Sequence, residues 1–244
     1  MKTISIVLPV RTRQRGLRST VKRLCRQARL LPFRAEVLVV APSESDPVAP
    51  GDGAGSAFVD LRVFSTAPSD PHANPAKVGV LRSAGDYVLV LNEGASVPLG
   101  ELPKLLPHFE RGAHVVIGSR YLGPAARRSL PWRLRAGHAL LSFMADQLLL
   151  RGINDAGSGF TCFVGAVARQ LYAMEQMPAG ATELEVLALA RRLGYTLVEV
   201  PVRWHPLPMR ATDRLGAACS FLVNLLRIRW RTAGRRRRLV EQAT

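Results

Sequence analysis

Short hydrophobic runs that alternate with helical patterns are the feature of this sequence that most limits its fold. Residues 4–8 and residues 36–40 are apolar runs of strand length. Between them, apolar side chains recur at helical spacing; they are Leu17, Val21, Leu24, Cys25, Ala28 and Leu31. A strand, a helix and a second strand in this order predict a βαβ unit with parallel strands.

The same alternation continues along the rest of the chain. Further strands are predicted at residues 61–64, 86–91, 114–117 and 196–204, and further helices at residues 99–109, 132–151, 183–193 and 213–231. Strands separated by helices predict an α/β fold with a mostly parallel sheet flanked by helices. Because ligands of such sheets bind beyond the carboxyl ends of the strands, we expect the chemistry just after Leu8, Val40 and Leu91.

The size and apolar content of the chain predict one large domain without a membrane-spanning segment. Of its 244 residues, 48% are hydrophobic, which is enough for a sizeable buried core. The longest nearly apolar stretch, residues 138–150, contains Asp146 and is too short to cross a bilayer. No secretory signal is recognised at the start, so we expect a cytoplasmic protein. Cys25, Cys162 and Cys219 are odd in number and far apart, which predicts reduced, mostly buried thiols.

The charge balance predicts an anionic partner. The chain carries 34 basic and 18 acidic residues, for a formal net charge of +16. Nine basic residues lie between Arg11 and Arg34 without an acid, and nine lie between Arg210 and Arg238 with Asp213 as the only acid. Anionic lipid, phosphorylated substrates and nucleic acid all suit such a field, although a coding bias toward Arg produces a similar composition. We expect no nucleic acid, because only 6% of the residues are aromatic and no reading motif occurs.

A series of short blocks in a fixed order resembles the family 2 glycosyltransferases. The blocks are Pro9 and residues 37–40 (VLVV), 85–89 (GDYVL), 98–106 (PLGELPKLL), 115–121 (VVIGSRY), 155–160 (DAGSGF) and 199–204 (EVPVRW). They resemble the branch of polyprenol-phosphate, or dolichol-phosphate-like, mannosyl- and glucosyltransferases. The resemblance implies a GT-A fold (nucleotide-diphospho-sugar transferase-like) over residues 1–204. It also implies transfer of a sugar from a nucleotide-sugar to a polyprenyl phosphate, assisted by Mg²⁺ or Mn²⁺.

The donor half departs from the family pattern. Relatives carry a motif resembling P-x-Y-N-E-E after the first strand, whereas residues 9–15 read PVRTRQR. Relatives also carry a D-D-G-S-type turn after the second strand, whereas residues 41–46 read APSESD and keep only the final acid. The resemblance assigns donor binding to Pro9, Arg11, Arg13, Asp46 and Asn92.

The segment that binds the metal in the family departs furthest from the family pattern. The D-x-D carboxylate pair of the family is replaced by Asn92-Glu93-Gly94, so both acids are missing. Mg²⁺ is usually held by one or two carboxylates together with substrate phosphates, and an amide supplies an oxygen without a charge. Glu93 is a weak candidate for the metal ligand. An alternative without metal is neutralisation of the diphosphate by the arginines at positions 11, 13 and 15, unless these form a solvated loop.

The acceptor half departs less. The resemblance places Ser119, Arg120 and Arg210 at the phosphate of the lipid acceptor, where a bidentate arginine contact suits phosphate oxygens. An ion pair between Arg120 and a neighbouring carboxylate is the alternative.

Three residues are the catalytic candidates, namely Asn92, Glu93 and Asp155. Asp155 is expected to orient the acceptor or the donor, or else to cap the turn that follows it. Glu183 and Glu185 resemble an acidic pair of the family, and we expect one of them to pair with a nearby arginine.

Residues 205–244 are predicted to form an acceptor loop, an amphipathic helix and a basic tail. The helix over residues 213–231 combines an apolar face with Trp230 and terminal basic residues, which is typical of a helix lying in a membrane interface. Four arginines at residues 235–238 would strengthen its attachment to an anionic surface. Core packing with a solvated tail is the alternative. A similar stripe, either core or a second membrane contact, consists of His138, Leu141, Met144, Ala145 and Leu148.

Three functions follow, and the sequence leaves open whether the chain is an enzyme. The first is a glycosyltransferase-like protein, attached peripherally to the inner face of the cytoplasmic membrane, with catalysis impaired or lost because of Asn92-Glu93-Gly94. The second is an active but metal-independent or atypical glycosyltransferase that binds a nucleotide-sugar donor. The third is a non-catalytic scaffold that binds polyprenyl phosphate, anionic lipid headgroups or a protein partner subunit.

Overall fold

One mixed sheet organises the protein. The computed structural model describes residues 2–11, 16–42, 45, 48, 59–66, 74–92, 96–122, 132–178, 180–204 and 211–241. Within these residues the sheet has seven strands: β1 (Thr3–Pro9), β2 (Arg34–Pro42), β3 (Val59–Thr66), β4 (Tyr87–Leu91), β5 (Val115–Ser119), β6 (Phe160–Val164) and β7 (Leu197–Pro201). Their order is β3-β2-β1-β4-β6-β5-β7. Only β6 runs antiparallel to its neighbours, β4 and β5, so the prediction of a mostly parallel sheet is confirmed.

Helices cover both faces of this sheet. They are α1 (Leu17–Ala28), α2 (Pro75–Leu81), α3 (Leu106–Glu110), α4 (Trp132–Leu148), α5 (Gly165–Met174), α6 (Thr182–Arg192) and α7 (Ala211–Glu241), with a 3-10 helix at Leu99–Lys104. The helix predicted over residues 99–109 is divided into the 3-10 helix and α3. Pro103 lies inside the 3-10 helix, and a proline removes a backbone donor that a continuous α-helix needs.

Strand alternation sends neighbouring side chains to opposite cores. Ile6 packs with α1, the 3-10 helix and α3, whereas Val7 packs with α2 and the helices of the second half. Both side chains are fully buried, which explains why the central strands are continuous apolar runs.

The second half of the chain contributes both core and exposed apolar surface. Met144, Ala145 and Leu148 of the predicted stripe pack into the core, while the side chain of His138 lies outside the described residues. On the other side of α4, Leu140 and Phe143 are exposed. No described helix has the length and apolar character that a membrane crossing requires.

The three cysteines are free thiols. Cys25 and Cys162 are buried, in line with the prediction, whereas Cys219 is exposed on α7.

Candidate active site

The carboxyl edge of the sheet brings together residues that are far apart in sequence. Asn92 follows β4, Arg120 follows β5, and Trp204 follows β7 shortly after its end. Because β6 is antiparallel, its amino end lies at the same edge, which places residues 155–159 beside them. The edge therefore contains both Asn92, which was predicted to bind the donor, and Arg120, which was predicted to bind the acceptor.

Asn92 is held by local hydrogen bonds. Its Nδ2 donates to Ser96 Oγ at 3.0 Å, its Oδ1 accepts from the Ser96 amide at 3.3 Å, and its own amide donates to the Gly159 carbonyl at 2.9 Å. Gly159 has a φ of 63°, and a Cβ placed there would lie 2.5 Å from Asn92 Cβ. The Asn92 side chain thus fills the space that the missing Gly159 side chain leaves.

The described part of this edge does not fit a divalent metal. Asn92 is neutral, and both ends of its carboxamide are engaged with Ser96. No cluster of three or more His, Cys, Asp or Glu side chains that could hold a metal occurs among the described residues. Glu93, the weak candidate ligand, lies outside the described residues, so its role stays a prediction.

Arg120, which follows β5, forms a bidentate ion pair with Asp155. Arg120 Nε donates to Asp155 Oδ2 at 2.9 Å, and Arg120 Nη2 donates to Oδ1 at 2.8 Å. The Arg120 amide also donates to Oδ2, at 2.9 Å. Asp155 is only 1% exposed and the Arg120 side chain 18%. The geometry matches the ion-pair alternative for Arg120, and Asp155 accepts from Arg120 rather than only capping its own turn.

The surroundings of Arg120 favour its charged form. Burial lowers the pKa of Arg120, but the Asp155 carboxylate outweighs burial and raises that pKa above its ordinary value. The guanidinium also lies over the rings of Tyr121 and Trp204, with centroid distances of 5.3 Å and 5.6 Å. Nη2 donates further to the Gly157 carbonyl at 2.7 Å, while Nη1 has no hydrogen-bond partner among the described residues. The Arg120 guanidinium is therefore charged and held in place.

Two buried polar atoms near Arg120 have no hydrogen-bond partner among the described residues. Ser119 Oγ and Trp204 Nε1 are inaccessible to solvent and make no hydrogen bond within the described part of the chain. Ser119 is fully buried in β5, so its hydroxyl lies beneath the edge rather than on it. Contact between Ser119 and an acceptor phosphate stays a prediction.

Glu183, at the start of α6, supports the loop that packs on Asn92. Its Oε1 accepts from the Gly159 amide at 3.1 Å and from Thr161 Oγ1 at 2.9 Å. Burial raises the pKa of Glu183 to about 7. Glu185 accepts from the Gln176 and Met177 amides. The expected ion pair between one of these glutamates and an arginine is not found among the described residues.

The remaining predicted site residues are only partly described. Pro9 ends β1, and the exposed Arg11 follows it, with Nη1 3.5 Å from the position of a Cβ on Gly180. The predicted donor and acceptor contacts of Arg13, Asp46 and Arg210 fall outside the described residues.

Sequence analysis did not identify the partners that fix the site. Ser96 was not singled out, and Glu199, which accepts from the Asp155 amide at 2.7 Å, was noted only within its block. Serine four residues after an asparagine is a weak local signal of an amide-to-backbone turn. The Glu199 contact joins segments 44 residues apart and has no local signal.

Sequence comparison gives distant glycosyltransferase relatives. A search against models of known protein families finds no match. The chain is similar to the dolichyl-phosphate beta-glucosyltransferase of Trichomonas vaginalis, with 26% identity over 136 residues, which are 53% of this chain and 41% of that protein. An uncharacterized glycosyltransferase of Mycobacterium tuberculosis is 24% identical over 209 residues, 83% of this chain and 85% of the relative.

A second dolichyl-phosphate beta-glucosyltransferase, from Dictyostelium discoideum, is 29% identical over 84 residues. These residues are 34% of this chain and 26% of that protein. The chain thus spans less than half the length of the two dolichyl-phosphate enzymes that it matches.

Solved structures share the fold. Glucosyl-3-phosphoglycerate synthase from Mycobacterium tuberculosis, solved with Mn²⁺, UDP-glucose and glycerol 3-phosphate, has a TM-score of 0.60 at 21% identity, covering 93% of this chain and 80% of that one. Mannosyl-3-phosphoglycerate synthase from Rubrobacter xylanophilus has a TM-score of 0.65 at 18% identity, covering 96% and 75%. In sequence this chain is similar to glycosyltransferases, and in fold it matches these two solved synthases, which supports the resemblance to family 2 glycosyltransferases with the GT-A fold.

Proposed function

We propose that this chain is a glycosyltransferase-like protein that attaches to the inner face of the membrane. In this proposal its sugar transfer is impaired or lost. The ancestral reaction in this proposal is transfer of a sugar from a nucleotide-sugar to polyprenyl phosphate. The two dolichyl-phosphate glucosyltransferases among the relatives support this acceptor class. The boundaries in this proposal are a transferase-like domain at residues 1–204 and a membrane-facing segment at residues 205–244.

The state of Asn92 carries the proposal. An acid at the end of β4 would present a negative charge to a metal bound on the donor diphosphate. Asn92 instead presents a neutral amide whose oxygen and nitrogen are both engaged with Ser96. At this position the amide would supply a metal with an oxygen but without the negative charge of a carboxylate.

The acceptor side keeps the chemistry for an anion. Arg120 is held in place by Asp155 and the Gly157 carbonyl while Nη1 has no partner among the described residues. A phosphate oxygen at Nη1 would make a charge-assisted hydrogen bond to an arginine that is already ordered. Little side-chain entropy is then lost on binding.

Apolar side chains on α7 support attachment to a membrane surface. Val223, Leu226 and Trp230 recur at helical spacing, and all three are exposed. Leu140 and Phe143 add exposed apolar surface on α4, which contacts α7. An exposed tryptophan on an apolar stripe with arginines beside it suits the headgroup region of a bilayer.

Titration with donors tests the loss of sugar transfer. We expect neither UDP-sugars nor GDP-sugars, with or without Mn²⁺, to bind the full chain with micromolar affinity in calorimetry. A positive control is available in the glucosyl-3-phosphoglycerate synthase of Mycobacterium tuberculosis, which was solved with Mn²⁺ and UDP-glucose. Metal-dependent micromolar binding to the wild-type chain would refute the proposal.

Glu183 favours a second candidate, an active but atypical glycosyltransferase. A carboxyl group whose pKa is raised to about 7 at the sheet edge is typical of functional sites. In this candidate a lipid phosphate oxygen bonds to the anomeric carbon while the bond to the diphosphate breaks, and the nucleoside diphosphate leaves. The phosphate is already ionised and needs no strong base. Sugar transfer that persists in a metal chelator would support this candidate over the first.

A further inference from the structure

A groove lies beside α7, and none of its lining residues belongs to the candidate active site. Its volume is about 1100 Å³, and its walls are α2, the segment between α5 and α6, and α7. Such a volume is at the upper end of what small-molecule sites enclose. Its apolar lining consists of Val78, Met177, Pro178, Val223, Leu226 and Trp230.

The charges around this groove are mostly positive. Lys77, Arg227 and Arg231 line it together with one acid, Glu175. Glu175 is only 2% exposed and lies 3.8 Å from the Lys77 ammonium, so its charge faces the protein. Arg227 is exposed and has no hydrogen bond or ion pair among the described residues. An occupant that complements this groove has an apolar body and a negatively charged end.

The sequence beyond the groove extends the positive charge. α7 continues to Glu241, and its stretch from residue 215 to residue 240 contains no acid. Four arginines at residues 235–238 follow Trp230 along this helix. A bilayer that carries anionic lipids would attract this basic stretch of the sequence.

We propose that the groove binds one acyl chain of an anionic phospholipid from the bilayer, with its phosphate near Arg227 and Arg231. This inference rests on the membrane attachment in the proposed function and adds a site that such attachment does not require. Met177 lines the groove, and its Sδ accepts from Arg231 Nη1 at 3.3 Å. An acidic amphipathic helix is a different class of occupant, and the test below separates it from a lipid.

The groove is connected to the candidate active site through buried hydrogen bonds. Asn74 lines the groove, and its Nδ2 donates to Thr182 Oγ1 at 2.6 Å. Thr182 precedes Glu183, which holds Gly159 against Asn92. Asn74 thus stands between a lipid in the groove and the end of α6 that supports the sheet edge.

Photocrosslinking tests where the acyl chain lies. The full chain is mixed with phosphatidylcholine vesicles that contain phosphatidylglycerol with a diazirine in one acyl chain, and labelled peptides are mapped by mass spectrometry. We expect labels on residues 74–78 and 175–178 as well as on α7. Labels confined to α7 would show a helix lying on the bilayer and would overturn the groove site while leaving membrane attachment intact. No binding to the vesicles would overturn both.

Charge reversal tests the phosphate contact with a matched control. Arg227→Glu should weaken binding to phosphatidylglycerol vesicles about tenfold or more, because each basic residue near an anionic surface contributes about 1 kcal/mol. Arg23→Glu makes the same change in net charge on the exposed side of α1 and should change binding much less. Equal losses in both variants would mean that only the overall charge matters, and would overturn the assigned phosphate position.

A substitution that fills the groove without changing the net charge gives a second test. Val78→Trp should reduce labelling at Met177 without reducing vesicle binding, whereas Leu30→Trp on the opposite face of the sheet should change neither. An acidic amphipathic peptide that binds in an Arg227-dependent manner, without lipid labels at residues 74–78 and 175–178, would identify a peptide site and overturn the proposal.

Discussion

The ends of β4 and β5 lie at one edge of the sheet but keep opposite kinds of chemistry. After β4, Asn92 forms hydrogen bonds with Ser96 and Gly159, which are both uncharged. After β5, Arg120 and Asp155 form an ion pair that is largely removed from water. A buried ion pair is costly and persists only with good geometry and further hydrogen bonds, which Arg120 and Asp155 have. The end of β4 is thus neutral at Asn92 and Ser96, whereas the end of β5 carries a charged pair.

Breaking the ion pair between Arg120 and Asp155 should have the largest effect on the free energy of unfolding. Asp155→Ala leaves Arg120 without its carboxylate in a mostly buried position, and we expect the free energy of unfolding to fall by about 3–5 kcal/mol. Urea denaturation measures this loss. As a control, Arg62→Ala removes an exposed partner of Glu36 and should cost about 1 kcal/mol or less. A loss below about 1 kcal/mol for Asp155→Ala would contradict a buried, mutually dependent pair.

The Glu183 carboxyl, which accepts from Gly159 and Thr161 at this edge of the sheet, should make the stability of the protein depend on pH. Because the pKa of Glu183 is about 7 in the folded chain and 4.5 ordinarily, the folded chain retains a proton that the unfolded chain loses as the pH rises above 4.5. Stability due to the protonated carboxyl should therefore decrease between pH 4.5 and pH 7 and stay constant above it. The pKa difference corresponds to about 3 kcal/mol.

Glu183→Gln should remove this part of the pH dependence. The glutamine keeps an oxygen that can accept from Gly159 and Thr161. Urea denaturation across the pH range measures the difference between the variant and the wild type, and Glu185→Gln on the same helix is the matched control. Parallel stability curves for wild type and Glu183→Gln would show that Glu183 is not the titrating group.

At the contact between Asn92 and Gly159, stability should depend on the shape of the side chains rather than on their charge. Gly159→Ala adds a Cβ 2.5 Å from Asn92 Cβ at a positive φ. We expect a loss of about 2 kcal/mol in the free energy of unfolding from the left-handed conformation and the overlap. Gly157→Ala is the control, since a Cβ there meets nothing within 4 Å.

A double-mutant cycle sharpens this prediction. Asn92→Gly removes the atom that the new Cβ meets, so part of the cost of Gly159→Ala should disappear in the double variant. Strictly additive losses in thermal or urea denaturation would contradict the direct contact between Asn92 and Gly159.

The sequence predicted the fold where the physics is local. Strands β1, β2, β4 and β5 are continuous apolar runs, and α1 has a clear helical spacing, so these elements were found. The strand β6 was missed because its five residues lead directly into α5, with no turn between Val164 and Gly165. The short α2, with seven residues, gave too little periodicity for a prediction.

The sequence indicated which residues belong to the candidate site, but it did not indicate which of them contact each other. Arg120 and Asp155 were singled out because each lies in a block that resembles the family pattern, and Asn92 was singled out because it stands where the family has its D-x-D pair. The pairing of Arg120 with Asp155 across 35 residues depends on β5 and β6 being neighbours, and the sequence contains no local signal for that order. The contact between Asn92 and Gly159 depends in the same way on the register of β4 and β6.

Counting bound Mn²⁺ tests the loss of the donor clamp most directly. Electron paramagnetic resonance reports free Mn²⁺ while a nucleotide-sugar and the full chain are present, and the variant with Asn92→Asp and Gly94→Asp is compared with the wild type. We expect the wild-type chain to leave the free Mn²⁺ signal of the nucleotide-sugar solution unchanged, with any additional bound ion found only in the variant. One Mn²⁺ bound per wild-type chain at micromolar concentration, dependent on the nucleotide-sugar, would contradict the account.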